Sequence, residues 1–313
     1  MHFFFPMNSF RFKQFEVVQD YSAMRVNTDA VLLGAWMSLP GGNQEGSQEG
    51  TQEGTQGSLA GEVPCNRGSY AGGELCRPGS LADGKPCRPA RMLDIGTGTG
   101  VIALMAAQRA AQAGLNAIVE AVEIDEGACK DAAANFQSAP WNGVELVLHK
   151  KSLQEFSENF LKDLPDNNTL HKFDLIFTNP PYFIDSLKST DESKILARHT
   201  DTLSQREILF HCTKLVKPEG MLAVVLPVIE GEEFLRKVEF LMANTPAGEL
   251  CFVPKRICRV HTVERKPAKR LLMELVLLPA GNAKENPHIE QLVMMSGDSK
   301  TAQYADLVGE FYL

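Results

Sequence analysis

The stretch Asp94-Ile95-Gly96-Thr97-Gly98-Thr99-Gly100 constrains the fold more than any other part of the chain. It joins an apolar run, Arg91 to Ile95, to an alanine-rich helical pattern from Val101 to about Ala113, so it reads as the turn between a strand and a helix. Glycines there let the backbone pass close under a ligand, and the helix start offers free amide donors. A nicotinamide fingerprint, GxGxxG, would need glycine at position 101, where valine stands. What remains is DxGxGxG.

The alternation begun by that turn continues. Strands are expected at Ala117 to Ile124, Val144 to His149, Phe173 to Thr178 and Met221 to Pro227, with helical patterns between them, one near Glu126 to Gln137. Strands separated by helices give βαβ units and a parallel sheet covered on both faces. Leu250 to Pro254 and Leu271 to Leu278 have no helix between them and are expected to pair antiparallel at one edge. The expected organisation is a catalytic domain over residues 90–313, with a β segment (Phe10 to Val18) and a helix (Thr28 to Met37, Thr28 as N-cap) from residues 1–40 packed on it.

Between them, residues 41–89 break the pattern. They read NQEGSQEGTQEGTQ and then an eleven-residue repeat, GSLAGEVPCNR, GSYAGGELCRP and GSLADGKPCRP. So few large apolar side chains do not offset the entropy of ordering, and the segment is expected to be a flexible insertion. Cys65, Cys76 and Cys87 recur with the repeat, without a CxxC pair or a histidine among them, so no metal site is expected. The seven cysteines, an odd number, argue for reduced thiols. No apolar run approaches the roughly 20 residues of a membrane span, and the start lacks the features of a signal peptide. The expected location is the cytoplasm. The net charge of -8 disfavours nonspecific nucleic-acid binding while leaving room for a local basic patch.

Two further segments carry chemistry. Ala121-Val122-Glu123-Ile124-Asp125 ends the second strand, and a carboxylate at that tip can accept both hydroxyls of a ribose; Glu123 is placed for this, with Asp125 capping the next helix. Asn179-Pro180-Pro181-Tyr182 follows the strand Phe173 to Thr178, and its consecutive prolines force the chain out of the sheet as a rigid loop. An amide oxygen and a fixed carbonyl presented together can accept both hydrogens of an exocyclic amino group, while an aromatic face stacks on the attached ring. The substrate would be planar and amino-bearing.

DxGxGxG resembles the first motif of S-adenosylmethionine-dependent methyltransferases, and NPPY resembles the fourth motif of those acting on adenine N6 or glutamine. Together with Phe10-Arg11-Phe12-Lys13-Gln14-Phe15, Ala23-Met24-Arg25-Val26-Asn27-Thr28-Asp29, Leu32-Leu33-Gly34-Ala35-Trp36, Ala197-Arg198-His199-Thr200, Val225-Leu226-Pro227 and the ending Glu310-Phe311-Tyr312-Leu313, the chain resembles the bacterial tRNA1(Val) (adenine-37) N6-methyltransferases outside the insertion. The resemblance implies a Rossmann-like class I methyltransferase fold, with a mostly parallel seven-stranded sheet, helices on both faces and an antiparallel edge hairpin. It implies that S-adenosylmethionine is held by Thr28, Asp94, Gly96, Thr97, Gly98, Gly100, Glu123, Ile124, Ser152, Leu153 and Asn179, with Asp29 helping to close the pocket. Asn179, Pro180 and Tyr182 would act on the target adenine, with Pro181 and Phe183 beside them. Ser152 stands where the family favours an acid, and Asn27 replaces the usual glycine, which asparagine's tolerance of left-handed conformations would allow.

The implied partner is a tRNA anticodon stem-loop. Basic side chains concentrate in Lys255, Arg256, Arg259, Arg265, Lys266, Lys269 and Arg270, with Pro254 and Pro267 expected to keep much of this stretch irregular. Arg265, Lys266 and Lys269 are expected to meet its phosphates, with Arg198 and His199 extending the patch. A protein glutamine N5-methyltransferase would share NPPY but not the FKQF opening or FYL ending. A noncatalytic RNA-binding relative would have lost Asp94, Gly98 or Asn179, and a DNA adenine methyltransferase would usually add a target-reading domain.

Overall fold

The structure is a computed structural model that describes residues 8–41, 81–82, 85–86, 88–164, 169–180, 203–281 and 286–312. Its elements follow in chain order: β1 (Ser9–Arg11), β2 (Glu16–Val18), α1 (Thr28–Trp36), β3 (Leu81–Ala82), β4 (Lys85–Pro86), β5 (Ala90–Ile95), α2 (Val101–Gln112), β6 (Ala117–Glu123), α3 (Glu126–Gln137), β7 (Val144–Lys150) and α4 (Leu153–Asp163). Then come β8 (Phe173–Thr178), α5 (Gln205–Leu215), β9 (Val216–Pro227), α6 (Val228–Asn244), β10 (Leu250–Val263), β11 (Arg270–Pro279), β12 (His288–Ser296), β13 (Ser299–Lys300) and α7 (Ala302–Val308).

Strands β7, β6, β5, β8 and β9 lie side by side in that order and all run parallel. Strand β11 then turns antiparallel to β9, and β10 antiparallel to β11. These are the expected seven strands. The sheet continues to nine, because β12 adds parallel to β10 and β13 adds antiparallel to β12. The antiparallel pair therefore lies inside the sheet rather than at its edge. Strand β12 breaks both strand patterns, since His288, Glu290 and Gln291 interrupt its apolar residues and Leu292 is its one fully buried side chain.

Alternate residues of the central strands feed two separate cores. Met92, Leu175, Ala223 and Val225 face α1, α2 and α7; Leu93, Ile176, Leu222 and Val224 face α4, α5 and α6. Burial on both faces explains why these strands read as continuous apolar runs. The chain's two ends close on each other: Phe12 stacks on Phe15 and Tyr312 with ring centroids 4.5 and 6.1 Å apart, and the Lys13 amide donates to the Phe311 carbonyl at 2.8 Å. The FKQF pattern and the pair Phe311-Tyr312 are thus two halves of one packing contact.

Three local expectations are corrected. Asn27, not Thr28, caps α1: its Oδ1 accepts from the Ala30 amide at 3.0 Å, and its φ of -133° is extended rather than left-handed, so the position serves capping and not a positive φ. Strand β10 runs through Pro254 to Val263, with a register shift between Pro254 and Arg256 absorbing the proline. Among the described residues near the end of the repeat region, β3 and β4 pair antiparallel, and Arg88 is ion-paired with Asp174.

Arg88 reaches the amino end of β8, donating to both oxygens of Asp174 at 2.8 and 2.9 Å. The same carboxylate accepts from Lys217 Nζ at 2.6 Å and from the Arg91 amide at 2.8 Å. Burial alone would raise the Asp174 carboxyl, but the Arg88 guanidinium and Lys217 ammonium hold it below the usual carboxylate range. Burial in turn lowers Lys217 to about 8 despite its partner. Removing the shared acceptor strands a buried ammonium, so Asp174→Ala should cost about 3–5 kcal/mol in urea unfolding. A loss below ~1 kcal/mol would show that the cluster is solvated.

Candidate active site

The glycine turn sits at the carboxyl end of β5. Gly96, Gly98 and Gly100 have φ of 67°, 56° and 82°, a region closed to most side chains. The amides of Gly96 and Thr97 donate to the Val122 carbonyl at 2.9 and 3.2 Å, which pins the turn to β6. A Cβ on Gly96 or Gly98 would meet nothing within 4 Å, so the backbone there borders open space, whereas one on Gly100 would lie 2.5 Å from the Phe136 ring. The turn is packed below and open above.

Asp94 is fully buried under it. One carboxyl oxygen, Oδ2, accepts from Thr97 Oγ1 at 2.7 Å and from the Ala103 amide at 3.2 Å; the other, Oδ1, has no partner. Burial pushes the carboxyl from 3.8 up to about 7, against the lowering by those two bonds, with Glu123 adding repulsion. Glu123, at the tip of β6, accepts from the Gly98 amide at 2.9 Å and, through its other oxygen, from the amides of Ile124 and Asp125 at 2.8 and 2.9 Å. Asp125 caps α3 as expected, accepting from the Ala128 amide at 2.7 Å. Ile124 is 69% exposed beside it, an apolar side chain held out at the strand tip.

Strand β8 brings the second half of the site. Ile95 and Thr178 are register partners, and Thr178 Oγ1 donates to the Ile95 carbonyl at 2.8 Å. The next residues, Gly96 and Asn179, therefore leave the sheet side by side. Asn179 Oδ1 is buried with no hydrogen-bond partner, and Pro180 is buried behind it. An unpaired buried amide oxygen costs free energy unless a donor arrives. Pro181, Tyr182, Phe183, Arg198 and His199 lie outside the described residues.

The remaining sequence candidates fall around this edge. Ser152 caps α4, its hydroxyl accepting from the Glu155 amide at 3.1 Å, which leaves its O–H and one lone pair for other partners. The Leu153 side chain is buried in the core, leaving its amide at the helix start. Thr28 is exposed, and Asp29 pairs with Arg270 at 2.7 Å. The basic stretch divides. Arg256 donates to Glu290 at 2.9 Å and stacks 4.0 Å from the Trp36 ring centroid, Arg259 faces Glu232 at 3.6 Å, and Arg270 is held by Asp29. Arg265, Lys266 and Lys269 are exposed in the turn between β10 and β11. Because Arg270 pairs with Pro227, that turn stands at the carboxyl end of β9, the edge shared with Asn179. Phe136 and Thr178, which shape the site from below, carry no sequence signal beyond a place in apolar surroundings.

Residues 88–272 match the family model described as a methyltransferase domain. The chain is 36% identical over 277 residues to the tRNA1(Val) (adenine(37)-N6)-methyltransferase of Parabacteroides distasonis, covering 88% of this chain and 87% of that protein. It is 32% identical over 304 residues to the enzyme of that name from Photobacterium profundum, covering 97% and 98%, and 31% identical over 305 residues to that of Bacteroides thetaiotaomicron, covering 97% of each. The chain belongs to the tRNA1(Val) (adenine(37)-N6)-methyltransferase family.

The site of this family member fits S-adenosylmethionine. Asp94 Oδ1 is an orphaned acceptor suited to an ammonium, the open side of Gly96 and Gly98 leaves room for the ligand to lie against the backbone, and Glu123 and Ile124 present a carboxylate and an apolar surface to a nucleoside. Among the described residues no group of His, Cys, Asp and Glu could hold a metal ion, and no helix is long and apolar enough to cross a membrane. An ammonium ligand favours the carboxylate form of Asp94, so binding below its pKa of about 7 must expel a proton. The affinity for S-adenosylhomocysteine should rise roughly tenfold from pH 6 to its plateau above pH 7. Asp94→Asn should abolish that slope; equal slopes in both proteins by calorimetry would remove Asp94 from the ligand contact.

Proposed function

We propose that this enzyme transfers a methyl group from S-adenosylmethionine to the exocyclic N6 of an adenine in a tRNA anticodon loop, the site named for its relatives being adenine 37 of tRNA1(Val). The observation that carries this reading is the unpartnered, buried Oδ1 of Asn179, set beside Gly96 at the edge where β5 and β8 end. A soluble enzyme acting on tRNA would work in the cytoplasm.

The adenine amino lone pair is delocalised into the ring and is a poor nucleophile while the group stays planar. Asn179 Oδ1 accepts one amino hydrogen and the Pro180 carbonyl the other, which favours pyramidalisation and turns the lone pair toward the cofactor. When bound, S-adenosylmethionine supplies the electrophilic methyl. Asn179 is neutral and is not a base, so the residues act by holding two reactants in line, where orientation is worth several kcal/mol; the proton leaves to solvent. The adenine must first leave its stack, at a cost of a few kcal/mol that is least in a single-stranded loop. A glutamine side chain would meet the same acceptor, but relatives at 31–36% identity named for adenine favour the nucleic acid.

An acidic protein must meet the tRNA backbone with a local surface, and the turn bearing Arg265, Lys266 and Lys269 stands on the right edge with its charges exposed. Reversing all three to Glu should raise the tRNA KM and flatten its salt dependence, with cofactor affinity unchanged. Equal salt slopes would place the contact elsewhere. Asn179→Ala should lower kcat about a hundredfold, the scale of losing one preorganised hydrogen bond at a reacting group, with little change in cofactor Kd. Full turnover in that variant would overturn the mechanism.

A further inference from the structure

Two polar side chains of α3, Asp131 and Asn135, are each only 1% exposed, on the helix face that also buries Ala128 and Ala132. Burying such groups is unfavourable unless they are fully hydrogen-bonded. The Asp131 carboxylate is bonded by three consecutive backbone amides, from Asp20 at 3.2 Å, Tyr21 at 3.0 Å and Ser22 at 2.7 Å, and by no cation among the described residues. Asn135 grips Val18, two residues before them: its Oδ1 accepts from the Val18 amide at 2.8 Å and its Nδ2 donates to the Val18 carbonyl at 2.9 Å. The same Nδ2 also donates to the carbonyl of Thr99, inside the glycine turn, at 2.8 Å.

The segment held in this way, residues 19–27, forms a strap. It closes on itself where Gln19 Oε1 accepts from the Val26 amide at 2.9 Å, and it runs so close to α3 that a Cβ on Gly127 would lie 2.5 Å from the Tyr21 carbonyl. Its far end passes into α1, where Asp29 pairs with Arg270 at the start of β11. Helix α3 follows β6, and in the sheet β5, β8 and β9 lie between β6 and β11. The strap's two anchors therefore bracket the strand tips that carry the glycine turn and Asn179. Val26 packs on the core at its far end, but apolar burial does not hold the middle of the strap, since Tyr21 is 66% and Met24 51% exposed. Directional bonds to two buried side chains set where it lies.

We propose that Asn135 and Asp131 are positioning residues that seat the strap across the cofactor edge, and that Asn135 ties the strap's position to that of the glycine turn, so that strap seating sets cofactor affinity. This rests on the assignment of that edge to S-adenosylmethionine. Ordering of the strap and of the turn are then one event, and a ligand that rigidifies one rigidifies the other.

Asn135→Leu keeps the side chain's approximate size and removes all three bonds. The expected result is a Kd for S-adenosylhomocysteine raised at least tenfold, kcat at saturating cofactor within twofold of wild type, and faster deuterium exchange at the amides of residues 20–22. Asp131→Asn, which keeps one acceptor oxygen, should show a smaller rise in Kd and provides the test if Asn135→Leu does not fold. In wild type, saturating S-adenosylhomocysteine should slow exchange at those amides. The wild-type titration comes first: no binding there overturns the cofactor assignment and the proposal together. Normal wild-type binding, with a lowered melting temperature but unchanged Kd in the variants, overturns the strap's role alone and leaves Asp131 and Asn135 as packing residues.

Discussion

The pairing of β5 with β8 is the constraint on which the site depends. Ile95 and Thr178 face each other as the last residues of adjacent parallel strands, locked by the Thr178 hydroxyl on the Ile95 carbonyl. A slip of one residue would turn each strand's two side-chain sets to the wrong cores, where Leu93 and Ile176 belong with α4 and α5 while Met92 and Leu175 belong with α1 and α2. Packing on both faces thus fixes the register. The register in turn makes Gly96 and Asn179 neighbours, so the turn proposed to hold the cofactor and the acceptor proposed for the target base are placed by the same energy that builds the core.

Two buried acids of the sheet differ in how fully they are hydrogen-bonded. Asp174, at the amino edge, is saturated by Arg88, Lys217 and a backbone amide, and its carboxyl is held low. Asp94, at the carboxyl edge, has one oxygen bonded and one bare, and its carboxyl is pushed up to about 7. Both are buried acids on strands of one sheet. The difference is that one closes a structural cluster while the other keeps an open acceptor, which suits the cationic ligand proposed for it.

Much of this was legible in the sequence because parallel strands buried on both faces are written as plain apolar runs, and because DxGxGxG and Asn179-Pro180 mark where strands end. Asp125 as a helix cap followed from its place after the strand tip. The structure was needed where polar residues could serve in two ways. Asn27 and Thr28 are both good caps, and only the backbone angles choose Asn27. Arg256, Arg259 and Arg270 look like part of a nucleic-acid surface until Glu290, Glu232 and Asp29 are seen beside them, which leaves Arg265, Lys266 and Lys269 as the exposed group. Strand β12 was missed because its alternation is weak, and the roles of Asp131 and Asn135 because their partners are backbone amides more than 100 positions away in sequence.

The central claim is that the Gly96 and Asn179 edge joins a methyl donor to an adenine amino group of tRNA. Transfer of labelled methyl from S-adenosylmethionine to total tRNA lacking the modification, followed by digestion and mapping of the labelled nucleoside, tests it most directly. The expected result is label in N6-methyladenosine at a single anticodon-loop adenine. Label in another nucleoside, label spread over many positions, or label only in protein glutamine would contradict it.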